Sequence, residues 1–521
     1  MNFQSYVNQR IGIKPTSSQN QAIAQLSSFL NDKNGPQCFI IRGSAGSGKT
    51  FLGSILKEYN PSSTIIFTPT GRAAKIFRSM IRDINGRDHI STIHHGIYSH
   101  NRREDKYIEG SDKSPENLQS SREIFTIKEN LNSENVVYIC DESSMISDYK
   151  SSTENLVFGS GKLLSDLFAH IGKRKIIFIG DHAQLTPINM DYSPALNKNY
   201  IEENFNCKAV DFELNDIVRQ EQGSGILKNA TSLRNNIFNG LSNSMEVQAD
   251  KDIDYIDTPA VINIAKNTFN PSKFSTFTVV THTRKLSQRY NLAIRNELFP
   301  NATRKFTEGD RLICAYTNYK YSIFNGELLK VVKIFNGPED RIEKLMTISP
   351  TYNERQYSSI PIQSDGKMHI WLKFQRVELE YYDNLGRTEK TKCFLLENSV
   401  DSSALTMDIA ESRALLIDFL MRFKKSKDLF IKTNKLNYLS EYQEELAIKS
   451  GEILDRSKDE FYNALIVKYG YAMTAHKSQG GEWDNAIVDL ETSFFDDVSE
   501  EYARWLYTSI TRAKNKLYLV N

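Results

Sequence analysis

The sequence predicts an α/β protein made of two tandem cores, the second interrupted by a large insertion. Three observations carry this. First, short β-branched or aromatic runs recur at Cys38–Ile41, Ile65–Phe67, Val136–Cys140, Lys175–Ile179, Phe277–Val280, Ala486–Leu490 and Leu517–Val520. Most are separated by helical patterns, the alternation expected of parallel sheets. Second, four of these runs precede residue 210, whereas Val280 and Ala486 stand about 200 residues apart, far beyond an ordinary connection. Third, Gly43-Ser44-Ala45-Gly46-Ser47-Gly48-Lys49-Thr50 joins the apolar run Gln37–Arg42 to a helically spaced run beginning at Thr50. Strand, glycine-rich loop and helix in that order is the setting a phosphate-binding loop requires.

Each residue of that loop has a physical task. Gly43, Gly46 and Gly48 let successive N–H groups, Ser47's included, curl around a phosphate, and the helix N-terminus adds partial positive charge. Lys49 is placed to reach the β- and γ-phosphates of a nucleotide triphosphate, and Thr50 to hold Mg²⁺. Val136–Cys140 runs straight into Asp141-Glu142. An acidic pair at a strand end downstream of such a loop is the second half of a hydrolysis site. Asp141 would hold the metal shell, and Glu142 would orient and deprotonate the attacking water. Lys175–Ile179 ends in Gly180-Asp181-His182-Ala183-Gln184, where Gln184 is a neutral donor placed to sense a γ-phosphate.

Composition sets limits. The chain has 521 residues, 65 basic and 64 acidic, for a net charge of +1. That length suggests about three or four domains. No global field demands a polyanion, so any nucleic-acid surface must be a local patch. The five cysteines (38, 140, 207, 314, 393) form no C-x-x-C and have no histidine at zinc spacing. No apolar stretch of about 18 residues and no signal-peptide pattern is visible, so a cytoplasmic protein without membrane contact is expected. Within the large insertion, Gly309–Ala315, the hairpin signal Phe324-Asn325-Gly326-Glu327, Leu328–Phe335, Met368–Tyr382 and Thr391–Leu396 read as a small antiparallel barrel or sheet. The alternation of Met368–Tyr382 changes phase near Gln375-Arg376, as a bulge would make it do. Leu405–Asp459 reads helical, and its lysine-rich stretch reads first as a solvated face. Between Tyr98 and Lys128 a polar, turn-rich segment reads as a surface hairpin.

Taken in order, these motifs resemble superfamily 1 helicases of the 5′-to-3′ class, the group of Dda and RecD, along the chain from Gln19 to Lys514. The resemblance implies two RecA-like cores. One spans residues 1–210, with a hairpin or pin at 97–128. The second spans 211–300 and 460–521. An accessory insertion, SH3-like and then helical, spans 301–459. It further implies that Gln19 reads adenine and that Gln479 and Glu482, in the Thr474–Trp483 motif, serve the nucleotide. Arg219, in Leu214–Gln220, and Arg512, in Tyr507–Lys514, would be arginines on the γ-phosphate.

Thr68, Thr70, Lys75, His94, Thr474, His476 and Lys477 would contact single-stranded DNA. Hydroxyl and basic groups suit phosphate contacts, although His94 and His95 also read as structural side chains. Tyr98, Tyr107 and Phe125 are the rings available to a strand-separating pin. The implied activity is ATP- and Mg²⁺-dependent unwinding of fork DNA by a monomeric 5′-to-3′ motor, a class associated with DNA repair and recombination. A DNA-translocating subunit serving a nuclease or a repair or defence complex would share the same core. A guanine-nucleotide switch is excluded, since Asn197-Lys198-Asn199-Tyr200 lacks the final Asp of N-K-x-D.

Overall fold

Strand Cys38–Gly43 is almost wholly buried because it lies between two parallel neighbours, Lys175–Gly180 and Ala209–Leu214. A computed structural model describes residues 2–10, 15–82, 88–107, 109–151, 156–216, 224–240, 245–382, 387–402, 404–490 and 499–521. The first sheet orders six parallel strands as Ile90–Thr92, Thr64–Thr68, Val137–Cys140, Lys175–Gly180, Cys38–Gly43 and Ala209–Leu214. Successive side chains point to opposite faces. Phe39 and Ile41 therefore join a core with helices Ser17–Asn31, Lys49–Tyr59 and Gly71–Met80, while Cys38 and Ile40 join another with helices Leu163–Ile171 and Ile93–Ile97. The boundary expected at residue 210 falls inside the edge strand Ala209–Leu214. Asp211 and Glu213 on its half-buried stretch disguise this strand in the sequence.

The second core carries five parallel strands in the order Ile253–Ile256, Ala513–Val520, Trp483–Asp489, Phe277–Thr281 and Ala472–Thr474. The insertion between its parts is an antiparallel sheet followed by helices. Strand Val467–Tyr469 pairs with Arg311–Cys314 of that sheet, so the chain leaves the insertion after Tyr469, later than the expected residue 459.

The phase change in Met368–Tyr382 is not a bulge. Its register with Thr388–Leu396 is unbroken from Phe374 to Tyr382. On its other edge the partner changes from Arg341–Ile348 to Leu328–Ile334. The inward side chains pass with it from one apolar cluster (Ile370, Leu372, Phe374) to another (Val377, Leu379). Gln375 is buried at the exchange, and its amide donates to the Phe335 carbonyl at 2.8 Å.

The hairpin forms from Tyr98–Tyr107 and Leu118–Ile127, but its tip does not stand free. Leu118 is 0% exposed and belongs to the insertion's core with Met346, Ile370 and Phe394. Arg413, on the long helix Ile409–Thr433, donates to the Leu118 carbonyl at 2.7 Å. The same guanidinium holds Glu354 at 2.5 and 2.8 Å and donates to the Ser349 carbonyl at 2.6 Å. Arg456 pairs with Glu123 further along. The hairpin is thus fastened to the insertion by one buried leucine and two arginines.

Truncating Leu118 removes that plug. Leucine-to-alanine changes at buried sites cost about 2–5 kcal/mol. Leu118→Ala is therefore expected to raise the rate of proteolytic cleavage within residues 109–117 by about 30-fold or more, if local opening limits cleavage. Limited proteolysis followed by mass spectrometry measures this. A cleavage rate equal to that of the wild type would show that the tip is not held by this contact.

Candidate nucleotide and DNA site

The loop Gly43–Gly48 turns into helix Lys49–Tyr59 through Gly48, which holds φ at +86°, a conformation glycine adopts without steric cost. A Cβ there would lie 2.6 Å from the Gln19 amide nitrogen. That amide donates to the Ser47 carbonyl at 3.0 Å, so Gln19 is packed onto the loop itself. Lys49 Nζ donates to the Gly43 and Ser44 carbonyls at 2.7 and 2.6 Å and is folded into the cradle. Burial lowers its pKa, while Asp181, Glu142 and Asp141 pull it back up. Thr50 Oγ1 donates to Asp141 Oδ1 at 3.3 Å. Burial, and then repulsion from Glu142, push the Asp141 carboxyl up to about 7. Glu142 sits at φ +54°, uncommon for a residue with a side chain and concentrated at functional sites.

A triphosphate with Mg²⁺ fits this arrangement. Ser47 Oγ and Gln184 Oε1 are buried without a hydrogen-bond partner among the described residues. Thr50 and Asp141 converge as hard oxygen donors of the kind Mg²⁺ takes. When bound, the metal would supply charge neutralisation between phosphate oxygens.

The second core closes over the loop. Tyr507 donates to Asp181 Oδ2 at 2.6 Å, and its hydroxyl accepts the Ala45 N–H of the loop at 3.4 Å. Thr508 Oγ1 accepts the Leu185 N–H at 3.0 Å, and the Gln479 amide donates to the Leu185 carbonyl at 3.4 Å. Glu482 is half-buried on the same loop. Arg512 is buried, donating to the carbonyls of Thr508, Ser478 and Gly481 at 2.8, 3.3 and 3.1 Å. Burial lowers its pKa and Glu142, across the seam, opposes that.

Arg219 lies outside the described residues. Arg234, which sequence reasoning did not single out, stands at the seam. It pairs with Glu213 and approaches Asp181 Oδ1 at 3.9 Å. No motif spacing marks it, and only the packing of helix Gly225–Asn239 brings it to the loop. Arg72 lies over the Trp483 ring at 4.5 Å, a further contact between the cores. Burial, with Arg512 nearby, lowers the Arg72 pKa to about 10.

The seven expected DNA contacts divide. Thr68 is buried and donates to the Thr70 carbonyl at 2.8 Å. Thr70 caps helix Gly71–Met80 by accepting the Ala73 N–H at 3.2 Å. Lys75 is not offered to a phosphate: its ammonium pairs with Glu327 of the insertion at 2.6 Å and donates to the Tyr382 carbonyl. His94 is likewise engaged, packed against Tyr98 and Phe158 at 5.7 and 5.1 Å, and burial lowers its pKa. By contrast, His95 is exposed and stacks on Tyr319. On the second core, Thr474 and Lys477 are half-buried and His476 is exposed. Among the possible pin rings, Tyr98 is buried, and Phe125 stacks on Phe158 at 4.6 Å. Tyr107 packs on the insertion's core.

Two segments of the chain match known protein families. Residues 28–189 match the AAA domain family, and residues 469–520 match the UvrD-like helicase C-terminal domain family. Uncharacterized protein R530 of Acanthamoeba polyphaga mimivirus is 24% identical over 536 residues, spanning 95% of this chain and 97% of its own. Uncharacterized protein MJ1519 of Methanocaldococcus jannaschii is 43% identical over 54 residues, 10% of this chain and 4% of its own. Among solved structures, a Bacteroides Pif1 helicase in complex with ADP-AlF3 and ssDNA aligns with 97% of this chain and 92% of its own, at 14% identity and a TM-score of 0.42. The Candida albicans Pif1 helicase aligns with 98% and 94%, at 13% identity and a TM-score of 0.42. No helix among the described residues is long and apolar enough to cross a membrane.

The Lys75–Glu327 pair gives a pH dependence with a definite sign. Burial pushes the Glu327 carboxyl from 4.5 up to about 7, against the pull of Lys75. A carboxyl raised in the folded state contributes stability that is full below its unfolded pKa and lost as pH rises through the folded one. Glu327→Gln keeps the neutral shape. Its unfolding free energy relative to the wild type is therefore expected to rise between pH 4.5 and 7 and to level off above that. Urea denaturation across this range tests the point, and a pH-independent difference would contradict it.

Proposed function

We propose that the chain is an ATP-dependent DNA helicase that moves 5′ to 3′ on single-stranded DNA and opens duplex as a monomer. The observation that carries this reading is the seam. Lys49, Thr50, Asp141 and Glu142 converge from the first core on one side of the phosphate loop. Tyr507, on helix Glu500–Ile510, and Arg512, in the turn that follows it, come from the second core on the other. A hydrolytic site divided between two cores ties their closure to the nucleotide.

In this mechanism Lys49 and the loop N–H groups hold the phosphates, and Thr50 and Asp141 hold Mg²⁺. Glu142 positions and deprotonates the attacking water, and Gln184 reads the γ-phosphate. Arg512, Arg219 and the neighbouring Arg234 supply positive charge where the transferred group gains negative charge. Thr474, His476 and Lys477 suit a sequence-independent grip on the strand. The 5′-to-3′ polarity is proposed on resemblance alone, that of Lys477-Ser478-Gln479-Gly480-Gly481-Glu482 and Thr92-Ile93-His94 to the motifs of that class.

Strand displacement on duplexes with a single 5′ or 3′ tail tests the proposal. ATP-driven displacement is expected from the 5′ tail alone, and a requirement for the 3′ tail would reverse the polarity. Lys49→Ala is expected to lose at least about 100-fold in ATP turnover, the scale of losing a principal transition-state contact. Turnover persisting in that variant would remove the assigned site.

A further inference from the structure

We propose that the outward face of the long helix Ile409–Thr433 is a landing surface for the phosphate backbone of duplex DNA ahead of the hairpin. This deepens the helicase reading and rests on it. The helix buries Phe423, Phe430 and Ile431 against a small core with Leu439, Ala447 and Ile453. At 3.6 residues per turn, Lys425 and Lys432 fall on the opposite face and Lys424 on the flank beside Ile431; all three are exposed, as is Lys435 just beyond the helix end.

Other cations of the same stretch are already neutralised. Arg422 pairs with Asp418 and Asp459, and Lys427 with Glu444. None of the four exposed lysines makes an ion pair among the described residues; Asp428 is the acid between them in the sequence, and Asp112 of the hairpin tip lies within electrostatic reach of Lys424. A solvated helix face normally interleaves its charges, as the neighbouring helix does with Glu445 and Lys449 at 2.7 Å. Here free positive charge is gathered on one side, in a chain whose net charge is only +1.

Position gives this charge its meaning. The hairpin tip is docked on the same helix through Arg413 and Leu118. Asp112 at the tip is held below the usual carboxylate range mainly by hydrogen bonds from Ser114 and Asn117, and to a smaller extent by the charge of Lys424. From Arg413 to Lys432 the helix rises about 28 Å, the length of roughly eight base pairs. The lysines therefore run outward from the tip along the line an incoming duplex would take. We assign duplex rather than single strand because, among the described residues, the exposed apolar side chains of the helix itself are Met421 and Leu429, the exposed rings Tyr438 and Tyr442 lying beyond its end. Single-strand sites combine basic groups with stacking aromatics, whereas duplex is held at its phosphates.

The test is the combined variant Lys424→Ala, Lys425→Ala, Lys432→Ala and Lys435→Ala. Its binding to a fork with a duplex arm, and to the single-stranded tail alone, is measured across a salt series beside ATP turnover on single-stranded DNA. Fork affinity is expected to fall about 10-fold or more, with the salt slope reduced by about 3.6, near 0.9 for each of the four lost phosphate contacts. Tail binding and turnover are expected to stay at wild-type values. Unchanged fork affinity and slope would overturn the surface, and an equal loss on tail and fork would overturn its assignment to duplex. A wild-type chain that unwinds while the variant binds forks equally well defeats the surface alone. A wild-type chain that neither binds nor opens a fork defeats the helicase reading and this inference together.

Discussion

Three carboxylates crowd the ends of two adjacent parallel strands. Asp141 and Glu142 follow Val137–Cys140, and Asp181 follows Lys175–Gly180. Asp141 and Asp181 are almost completely buried. Anions gathered out of water need cations or proton donors near them. Lys49 comes from the phosphate loop, and Arg234, Arg512 and the Tyr507 hydroxyl from the second core. The carboxylates therefore set how the two cores meet at this seam. Buried ion pairs add little net stability yet are costly to break one partner at a time. A seam built on them is specific in geometry without being deeply bound.

The insertion fastens the molecule at other points. Glu327 holds Lys75, and Phe324 lies directly on Gly71, where a Cβ would come within 2.3 Å of its Cβ. Leu118 and Arg413 bind the hairpin to the insertion's sheet and helix. A hairpin that emerges from the first core is thus anchored on a module carried by the second. Relative movement of the cores cannot leave it unaffected, because its two ends are attached to different bodies.

Much of this was legible in the sequence, for identifiable reasons. Fully buried parallel strands are continuous apolar runs, so Cys38–Gly43, Val137–Cys140 and Lys175–Gly180 were visible, as was the glycine loop between the first of them and its helix. Edge strands alternate with charge, so Ala209–Leu214 was hidden and the boundary was set too early. The phase change at Gln375 was visible but not its cause, since a change of partner on one edge leaves the same signature as a bulge. Local motifs gave Lys49, Asp141 and Glu142. Arg234 and the bridging role of Tyr507 depend on contacts with residues 53 and 326 positions away in the chain, which no spacing rule reaches. The pairing of Lys75 was hidden for the same reason: its partner Glu327 lies 252 residues away, beyond any local spacing.

The seam also suggests which contact yields first when the site changes state. The Ala45 N–H belongs to the loop whose amides face a phosphate, yet here it donates to Tyr507 of the second core. On the helicase reading, a phosphate oxygen and the tyrosine hydroxyl compete for that one donor. A neutral hydrogen bond in water contributes only about 0.5–1.5 kcal/mol, whereas stripping one partner from a buried ion pair costs about 3–5 kcal/mol. The tyrosine contact is therefore the weaker link and the contacts of Arg234 with Glu213 and Asp181 the stronger. Nucleotide at the loop would shift Tyr507 before it shifted Arg234. The helix Glu500–Ile510, which carries Tyr507, packs against Gly225–Asn239, which carries Arg234. A displacement at one hydroxyl is in this way passed to the second core through two packed helices, with no need to break the charged contacts that keep the cores aligned.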